Sequence, residues 1–212
     1  MDASPGAVPD DVPTAAPPAV GMRLRDVQPG DLDAYVRMRC DPAVMAELGG
    51  PQPRERVPAQ LRRDLETVRD GSAWIKMIIT GDSAQVAGTV TVYSHGGLSE
   101  IGWMVVPEFQ GRGLAGRAVR AVLALARADG RWGLIHAFPA TTNAASNAIC
   151  RSVGFVLVGE EQTEFAGRLF RTNHWVVDPS PGAADSSAGG VDPSPGAADS
   201  SAGGPGGDVP PA

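Results

Sequence analysis

The chain has 212 residues, enough for one domain with appendages, and its formal net charge at pH 7 is −6. The acidic excess lies at the two ends, because residues 1–21 and 179–212 hold seven of the 24 acidic residues and none of the 18 basic ones. Residues 22–178 therefore carry a net charge of +1. A near-neutral core gives no support to nucleic-acid binding. The sequence also lacks a long apolar run, so no membrane partner is expected.

Both ends have the composition of disordered tails. Residues 1–21 are rich in Pro, Ala, Asp and Val, and residues 179–212 are nearly all Pro, Ser, Gly, Ala and Asp. The 14-residue sequence VDPSPGAADSSAGG occurs at Val177–Gly190 and again at Val191–Gly204. Such a repeat has too few large apolar side chains to bury a core. We predict one domain at 22–178 between two disordered tails, the second of which contains part of the duplicated repeat.

The cysteines and histidines indicate a cytoplasmic protein without a metal site. Cys40 and Cys150 are far apart in the sequence and are expected to be reduced thiols. No Cys/His spacing matches a metal site. His95, His136 and His174 are isolated in the sequence, so structural or surface roles are expected for them.

Alternation, helical periodicity and turn residues predict the elements in chain order. Strands are predicted at Met22–Gln28, Ala73–Thr80, Gln85–Tyr93, Leu98–Val106, Leu134–Phe138, Phe155–Glu160 and Arg168–Val177. Helices are predicted after a cap at Asp31, over Val57–Val68 with Gly71 as its end, over Leu114–Asp129 and over Asn143–Ser152. This order predicts a mixed α/β (α+β) fold. Its central, mostly antiparallel sheet has about seven strands and about four flanking helices, so it is not a doubly wound fold.

The stretch Glu100–Gly116, EIGWMVVPEFQGRGLAG, leads from a strand through a Pro-Glu-Phe turn into a glycine-rich loop before a helix. Backbone N–H groups at such a helix start point outward and bind phosphate. The loop Gly111–Gly116 also matches G-x-G-x-x-G, but a dinucleotide site needs an acidic residue about 20 positions later, and none is present there. The kinase interpretation also fails, since residues 22–178 contain a single lysine and no H-R-D or D-F-G motif.

The same loop matches the pattern Q/R-x-x-G-x-G/A through Gln110, Gly113 and Ala115. In this pattern the sequence resembles the GCN5-related N-acetyltransferase (GNAT) superfamily. A second segment, NAASNAICRSVGF at Asn143–Phe155, is similar to that superfamily's N-x-x-S/A…G-F motif. The resemblance covers residues 22–178. The closing segment GRLFRTNHWVVD resembles the ribosomal-protein and small-molecule N-acetyltransferase branch. The resemblance implies acetyl-CoA as the cosubstrate.

The resemblance also implies where acetyl-CoA binds. The loop N–H groups would hold its pyrophosphate, and the edge of the preceding strand would pair with the pantetheine amides. Asn143 and Ser146 would contact the cofactor arm, although both are also placed to cap a helix. The predicted cofactor-binding residues are Met104, Val105, Val106, Gln110, Gly111, Arg112, Gly113, Leu114, Ala115, Gly116, Asn143 and Ser146.

Two residues are candidates for proton transfer. Glu100 begins the strand before the loop, where several family members carry a carboxylate that deprotonates the amine, so it is the predicted base. Cys150 stands seven residues after Asn143, where many family members have a tyrosine, and is the predicted acid. A buried structural thiol is the alternative role for Cys150. Ser146, a water molecule or direct loss of the thiolate would then complete the reaction.

The predicted function is transfer of an acetyl group from acetyl-CoA to a primary amine, on a small molecule or a protein N-terminus, directly within a ternary complex. The protein is expected to be a monomer or a homodimer. A non-catalytic acyl-CoA-binding module is the alternative, since the expected tyrosine is missing. A third possibility is an interaction protein that binds its partner through the C-terminal tail.

Overall fold

The computed structural model describes residues 21–81, 85–165 and 168–180, and within them seven strands form one sheet. The strands are β1 (Met22–Asp26), β2 (Ala73–Thr80), β3 (Gln85–His95), β4 (Leu98–Val105), β5 (Ile135–Ala137), β6 (Val156–Phe165) and β7 (Arg168–Val177). The helices are α1 (Leu32–Arg39), α2 (Val57–Asp70), α3 (Leu114–Asp129) and α4 (Ala144–Ser152). The predicted mixed α/β fold is therefore confirmed.

The strand order across the sheet is β1-β2-β3-β4-β5-β7-β6, and only β4 and β5 pair in parallel. A parallel pair needs a long crossover connection, which α3 provides. β4 and β5 pair only at Ser99–Ile135 and Glu100–His136, so the two strands separate beyond these positions. Within the described residues, the rest of β4 has no partner strand on that side. This separation creates a gap in the middle of the sheet.

The two faces of the sheet carry different helices. Tyr93 and its register partner Glu100 lie on the face covered by α1 and α2, where Asp64 of α2 is close enough to raise the pKa of Tyr93. Side chains alternate along a strand, so Ser99 lies on the opposite face. There its hydroxyl donates to the carbonyl oxygen of Trp132, directly after α3. The sheet is thus buried between α1 and α2 on one face and α3 on the other.

α3 forms because its apolar residues recur at helical spacing and pack onto the sheet. The apolar stripe of α3 that faces the sheet is buried; it consists of Val119, Val122, Leu123 and Ala126. Full burial of each Val or Leu side chain contributes about 1.5–3 kcal/mol. α3 ends at Gly130 and α2 ends at Gly71, each with a positive φ, which glycine adopts without strain. The predicted bounds of α3 match the structure.

Asp31 does not cap α1 with its side chain, contrary to the prediction. A 3-10 turn, Pro29–Asp31, precedes the helix and directs the carboxylate back toward β1. There the carboxylate accepts a 2.7 Å hydrogen bond from the backbone N–H of Gln28. It also forms a two-pronged ion pair with Arg25 at 2.6 and 2.7 Å. Asp31 therefore joins the first strand to the first helix.

A buried polar cluster joins α1 to α2. Asp64 accepts a 2.8 Å hydrogen bond from the Tyr35 hydroxyl and a 2.7 Å bond from the Gln60 amide. Arg39, only 2% exposed, lies 3.7 Å from the same carboxylate. Burial raises the pKa of Asp64 above its usual value, opposed by the charge of Arg39 and by these hydrogen bonds. The hydroxyl of Tyr93 is buried nearby, without a hydrogen bond in the part of the chain that is described.

Gly88 of β3 lies directly against the backbone of β4. A Cβ atom added there would lie 2.1 Å from the carbonyl oxygen of Met104 and 3.0 Å from Cα of Val105. Such contacts are far shorter than van der Waals separation, and the opposing atoms belong to the backbone. Only glycine fits this position.

Some predicted features differ or lie outside the described residues. β6 continues to Phe165 rather than ending at Glu160, because it pairs with β7 along this whole length. The hairpin signal at 81–83 and the two predicted tails lie wholly or largely outside the described residues. Among the helices that are described, none is long and apolar enough to cross a bilayer.

Candidate functional site

A cavity of about 850 Å³ lies at the gap between β4 and β5. Its walls come from β4, the glycine loop before α3, the first turn of α3, α4, and the loop after α1. The cavity therefore reaches elements on both faces of the sheet. A long, flexible molecule can enter from the α3 side while a second molecule enters from the α1–α2 side.

The glycine loop forms one end of the cavity. A 3-10 turn, Pro107–Phe109, ends β4, and the Gln110 amide then donates a 2.8 Å hydrogen bond back to the carbonyl oxygen of Val105. Gly111 and Gly113 have φ values of 70° and 68°, and a Cβ atom added to either would meet no atom within 4 Å. The first N–H groups of any α-helix have no acceptor within the helix. At α3 these groups border the cavity.

The structure brings most of the predicted cofactor-binding residues together at this cavity. Those on its lining are Met104, Val105, Gln110, Gly111, Gly113, Leu114, Ala115, Gly116, Asn143 and Ser146. Val106 and Arg112 are not on the lining. Val106 is buried and donates its N–H to the carbonyl oxygen of Ala87, whereas Arg112 stacks 5.3 Å from the ring centroid of Phe109.

Asn143 and Ser146 have both of the roles considered for them. The Asn143 side chain accepts a 3.0 Å hydrogen bond from the backbone N–H of Ser146 and so caps α4. Both residues also line the cavity, so capping does not remove them from it. The cap fixes the start of α4 beside the glycine loop.

Glu100 lies at the point where β4 and β5 separate. It is half-buried, lines the cavity, and stands in register between Tyr93 of β3 and His136 of β5. Side chains in register on adjacent strands share one face, so these three side chains point to the α1–α2 side of the sheet. The geometry thus places the predicted base between the two halves of the cavity.

Cys150 is not on the cavity lining, contrary to what its predicted role as an acid requires. Its side chain is 0% exposed in the core beneath α4. Burial raises the pKa of the Cys150 thiol to about 12, because the thiolate would lose its hydration. The buried position matches the alternative role, that of a small apolar side chain.

The α1–α2 side of the cavity is apolar and acidic. Its apolar lining residues include Val44, Leu48, Phe138 and Phe170. The charged residues of the whole lining are Glu47, Glu100 and Arg120. Arg120 belongs to α3 and donates a 2.9 Å hydrogen bond to the carbonyl oxygen of Ser152 on α4. Arg120 is exposed, and this hydrogen bond ties α3 to α4.

A hydrogen bond joins the loop after α1 to the loop before α4. The Thr142 hydroxyl donates to the carboxylate of Glu47 at 3.0 Å. Glu47 lines the cavity, as do Ala140 and Asn143 on either side of Thr142. This contact therefore lies at the rim of the cavity.

Asn147 organises the wall of the site, although sequence reasoning did not single it out. Its amide nitrogen donates to the carbonyl oxygens of Ala140 and Asn143 at 2.9 and 2.8 Å. Its amide oxygen accepts from Asn173 at 2.7 Å and from the indole N–H of Trp175 at 2.9 Å. The buried side chain thus joins α4, the preceding loop and β7. Asn147 lies within the Asn143–Phe155 motif, and that motif was the sequence signal that could have pointed to it.

Two histidines that are isolated in the sequence meet in the structure. His136 Nδ1 lies 2.8 Å from His174 Nε2, and His174 Nδ1 lies 2.6 Å from a carboxylate oxygen of Glu161. The ring of Phe138 stacks on both imidazoles and lines the cavity with its other surface. The pairing of β5, β7 and β6 brings these residues together from positions 38 and 13 residues apart.

Known structures share the fold. A GNAT-family acetyltransferase from Bacillus anthracis aligns with 74% of this chain and 95% of its own, at 16% identity and a TM-score of 0.66. An acetyltransferase from Salmonella typhimurium modifies the N-terminal serine of ribosomal protein L7/L12. Its alignment covers 74% of this chain and 94% of its own, at 18% identity and a TM-score of 0.65. The alignment with a spermidine N-acetyltransferase from Vibrio cholerae, in complex with CoA and spermine, covers 74% of this chain and 95% of that protein, at 17% identity and a TM-score of 0.64.

A family model assigns the chain directly. The sequence matches no curated protein significantly. Residues 22–156, well over half of the chain, match the model of the acetyltransferase (GNAT) domain. This match covers both the glycine loop and the Asn143–Phe155 segment, so the resemblance predicted from those residues is confirmed. The chain belongs to the GNAT family of acetyltransferases.

Proposed function

We propose that this protein transfers an acetyl group from acetyl-CoA to a primary amine, directly within a ternary complex. The observation that carries the proposal is the cavity at the β4–β5 separation, which joins a glycine loop at a helix start to an acidic pocket. The first part suits a phosphorylated cosubstrate, and the second suits a cationic acceptor. Glu100 lies where the two parts meet.

The residues at the α3 end fit acetyl-CoA. Gly111 and Gly113 leave open space where side chains would stand, and the N-terminus of α3 favours negative charge. We assign the pyrophosphate to the N–H groups of 111–116. The open edge of β4 at Met104 and Val105 would pair with the pantetheine amides, and Asn143 and Ser146 would border the same arm. When bound, acetyl-CoA supplies the activated thioester.

The acceptor side fits an amine that arrives as an ammonium ion. Glu47 and Glu100 line this side, and no described lining residue there is cationic. Opposite charges attract strongly in a partly buried site, so a protonated amine is held while the apolar wall contacts its carbon chain. An anionic acceptor would instead be repelled. This charge pattern supports a primary amine over an alcohol or an acid.

Glu100 is the proposed base. An ammonium must lose a proton before its nitrogen can attack the thioester carbon, and a carboxylate at the junction is placed to accept that proton. Attack forms the C–N bond and then breaks the C–S bond, so the electron pair leaves on sulfur. The hydroxyl of Ser146 lines the cavity and is our candidate donor to the departing thiolate.

The test is release of free thiol from acetyl-CoA in the presence of a panel of amines, monitored together with the acetylated product. We expect turnover with at least one primary amine and none with the matching alcohol. Tight acetyl-CoA binding without turnover on any amine would instead favour the non-catalytic acyl-CoA-binding module. Capture of a protein partner that requires residues 179–212, while acetyl transfer is unaffected by their removal, would support the tail-mediated role.

Replacing Cys150 by alanine tests the identity of the acid. Because the thiol is fully buried and does not line the cavity, we expect Cys150→Ala to keep its kcat within about twofold, whereas a general acid is worth about 10²–10⁴-fold. Ser146→Ala is the comparison, and its kcat should fall. A large loss in Cys150→Ala with normal stability would restore the thiol as the acid.

A further inference from the structure

A hydrogen-bonded chain of three side chains runs from the interior of the sheet to solvent. It links His136 on β5, which is 9% exposed, to His174 on β7 and then to Glu161 on the edge strand β6. The side chains of His174 and Glu161 are 16% and 49% exposed, so exposure rises along the chain. The inner end, His136, is the register partner of Glu100 across the β4–β5 pair.

The carboxylate at the outer end determines where the protons lie in this chain. An ionised carboxylate only accepts hydrogen bonds, so His174 donates from Nδ1 and its Nε2 is left as an acceptor. His136 then donates from Nδ1 to that nitrogen, and its own Nε2 is the free acceptor of the neutral ring. Desolvation lowers the pKa of His136, with a smaller contribution from His174, so the ring is neutral between proton transfers.

These tautomers allow a proton to move along the three side chains in one direction, from His136 outward to Glu161. A proton arriving at Nε2 of His136 allows the Nδ1 proton of that ring to pass to Nε2 of His174. The Nδ1 proton of His174 then passes to Glu161, which releases it to solvent. Each step breaks one N–H bond and forms another N–H or O–H bond, so the chain moves one proton outward. The rings return to their starting tautomers by rotation or by exchange with water.

The proposed reaction produces one such proton. R–NH₃⁺ and CoA–S–CO–CH₃ give R–NH–CO–CH₃, CoA–SH and H⁺, so one of the two protons lost by nitrogen ends on the thiol and the other must leave. Glu100 takes this second proton and must lose it again before the next turnover. Its neighbours in register are Tyr93 and His136. Burial raises the pKa of Tyr93. Of these two, only the imidazole accepts a proton at neutral pH.

We propose that His136, His174 and Glu161 form a relay that carries the proton from Glu100 to solvent. The relay rests on the proposed amine acetylation and adds three positioning residues to it. The groups whose charge acts on His136 are His174 from β7 and Glu161 from β6, and Glu100 of β4 is its partner in register. The adjacent pair Glu160 and Arg171 lies on the opposite face of the sheet, because Glu160 alternates with Glu161 along β6.

The full-length Glu161→Gln variant tests the relay, with Glu160→Gln as the matched control from the same strand. At low buffer concentration we expect kcat of Glu161→Gln to fall by about tenfold, less than the roughly 10²–10⁴-fold of a group that exchanges a proton with the substrate itself, because Glu161 acts at the far end of the relay. The KM for acetyl-CoA should be unchanged. Added imidazole should restore kcat, because a small base replaces the missing exit. Glu160→Gln should match wild type in all of these measurements.

Two kinetic results would overturn the relay. One is equal kcat for Glu161→Gln and wild type at low buffer concentration. The other is a loss of kcat that imidazole does not relieve, since that indicates a structural effect. Melting temperatures of both variants check that the fold is intact.

Nitrogen NMR of histidine gives a readout that does not depend on turnover. We expect the Nδ1–H tautomer for His136 and His174 at pH 7.5 in wild type, and loss of that preference for His174 in Glu161→Gln, whose amide can donate. An Nε2–H tautomer of His174 in wild type would contradict the relay whatever the activity. Failure of every amine as an acceptor, with the expected tautomers present, would instead reject the proposed function.

Discussion

At the scale of single residues, Glu100 is the side chain on which the proposed chemistry depends. It is half-buried at the junction of the two halves of the cavity, and the adjacent strands fix its position. Two other residues, Glu47 and Ser146, line the same cavity and have different proposed roles. Removing the carboxylate of Glu100 should therefore affect proton transfer more than binding.

We expect Glu100→Gln to lower kcat/KM by about 10²–10⁴-fold, because the amide cannot accept the proton of the ammonium. The part of the pH–rate profile that rises with ionisation of the carboxylate should disappear. The measurement is kcat/KM across pH with the best amine acceptor. Glu55→Gln, an exposed carboxylate before α2, is the control and should behave as wild type. An unchanged pH profile in Glu100→Gln would exclude it as the base.

The two tyrosines of the chain should respond oppositely to loss of their hydroxyl groups. The Tyr93 hydroxyl is buried without a hydrogen bond in the described residues, so Tyr93→Phe should raise the free energy of unfolding by about 1 kcal/mol. The Tyr35 hydroxyl donates to buried Asp64, so Tyr35→Phe should lower the free energy of unfolding by about 1.5–3 kcal/mol. Urea unfolding of both variants measures the difference. Destabilisation by Tyr93→Phe would mean that this hydroxyl has a partner, such as a buried water.

The raised pKa values of the two tyrosines also predict that the free energy of unfolding depends on pH. Desolvation raises the pKa of Tyr35 and Tyr93 above that of an unfolded chain, since burial disfavours the phenolate. A raised folded pKa gives stability that is complete below the unfolded value, about 10, and is lost as the pH rises above it. The unfolding free energy should therefore fall less steeply above pH 10 in Tyr93→Phe than in wild type.

At the scale of elements, the pairing of α1 with α2 depends on a buried charge. Asp64 offsets the positive charge of Arg39, which is almost completely buried. Asp64→Ala should lower the free energy of unfolding by about 3–5 kcal/mol, because it leaves the guanidinium without its compensating carboxylate. Glu66→Ala, an exposed change on the same helix, should stay within about 0.5 kcal/mol of wild type. Chemical denaturation distinguishes the two, and equal values would contradict this role of Asp64.

The sequence predicted those elements whose signals are local. The glycine loop and α3 were predicted correctly because the strand, the glycines and the apolar stripe of the helix all lie within the continuous segment 98–129. Asp64 and Asn147 were missed because the partners that reveal their roles are distant in sequence: Tyr35 for Asp64, and Asn173 and Trp175 for Asn147. His136 and His174 appeared isolated for the same reason. Whether Cys150 reaches the cavity depends on the rotation of α4 against β7, and that rotation is set by the contacts of Asn147.

At the scale of the whole molecule, residues 21–180 contain every element of the sheet and the whole cavity lining that is described. We expect a chain of residues 21–180 to keep the melting temperature and the kcat of the full-length protein. The comparison should be made at equal protein concentration, with gel filtration to check the oligomeric state of both chains. A loss of kcat on truncation, without a change in melting temperature, would assign residues 1–20 or 181–212 a role in the reaction, and chains of residues 1–180 and 21–212 would distinguish the two segments.

The close approach of β3 and β4 at Gly88 has a consequence for the evolution of this protein. The atoms that exclude a side chain at Gly88 are the backbone of Met104 and Val105, the same two residues whose open edge faces the cavity. Any replacement at position 88 would force a shift in the backbone beside the space proposed for the pantetheine arm. Selection for activity therefore constrains a residue that touches no substrate, and descendants of this gene should tolerate change at Gly30, where space is open, long before they tolerate it at Gly88.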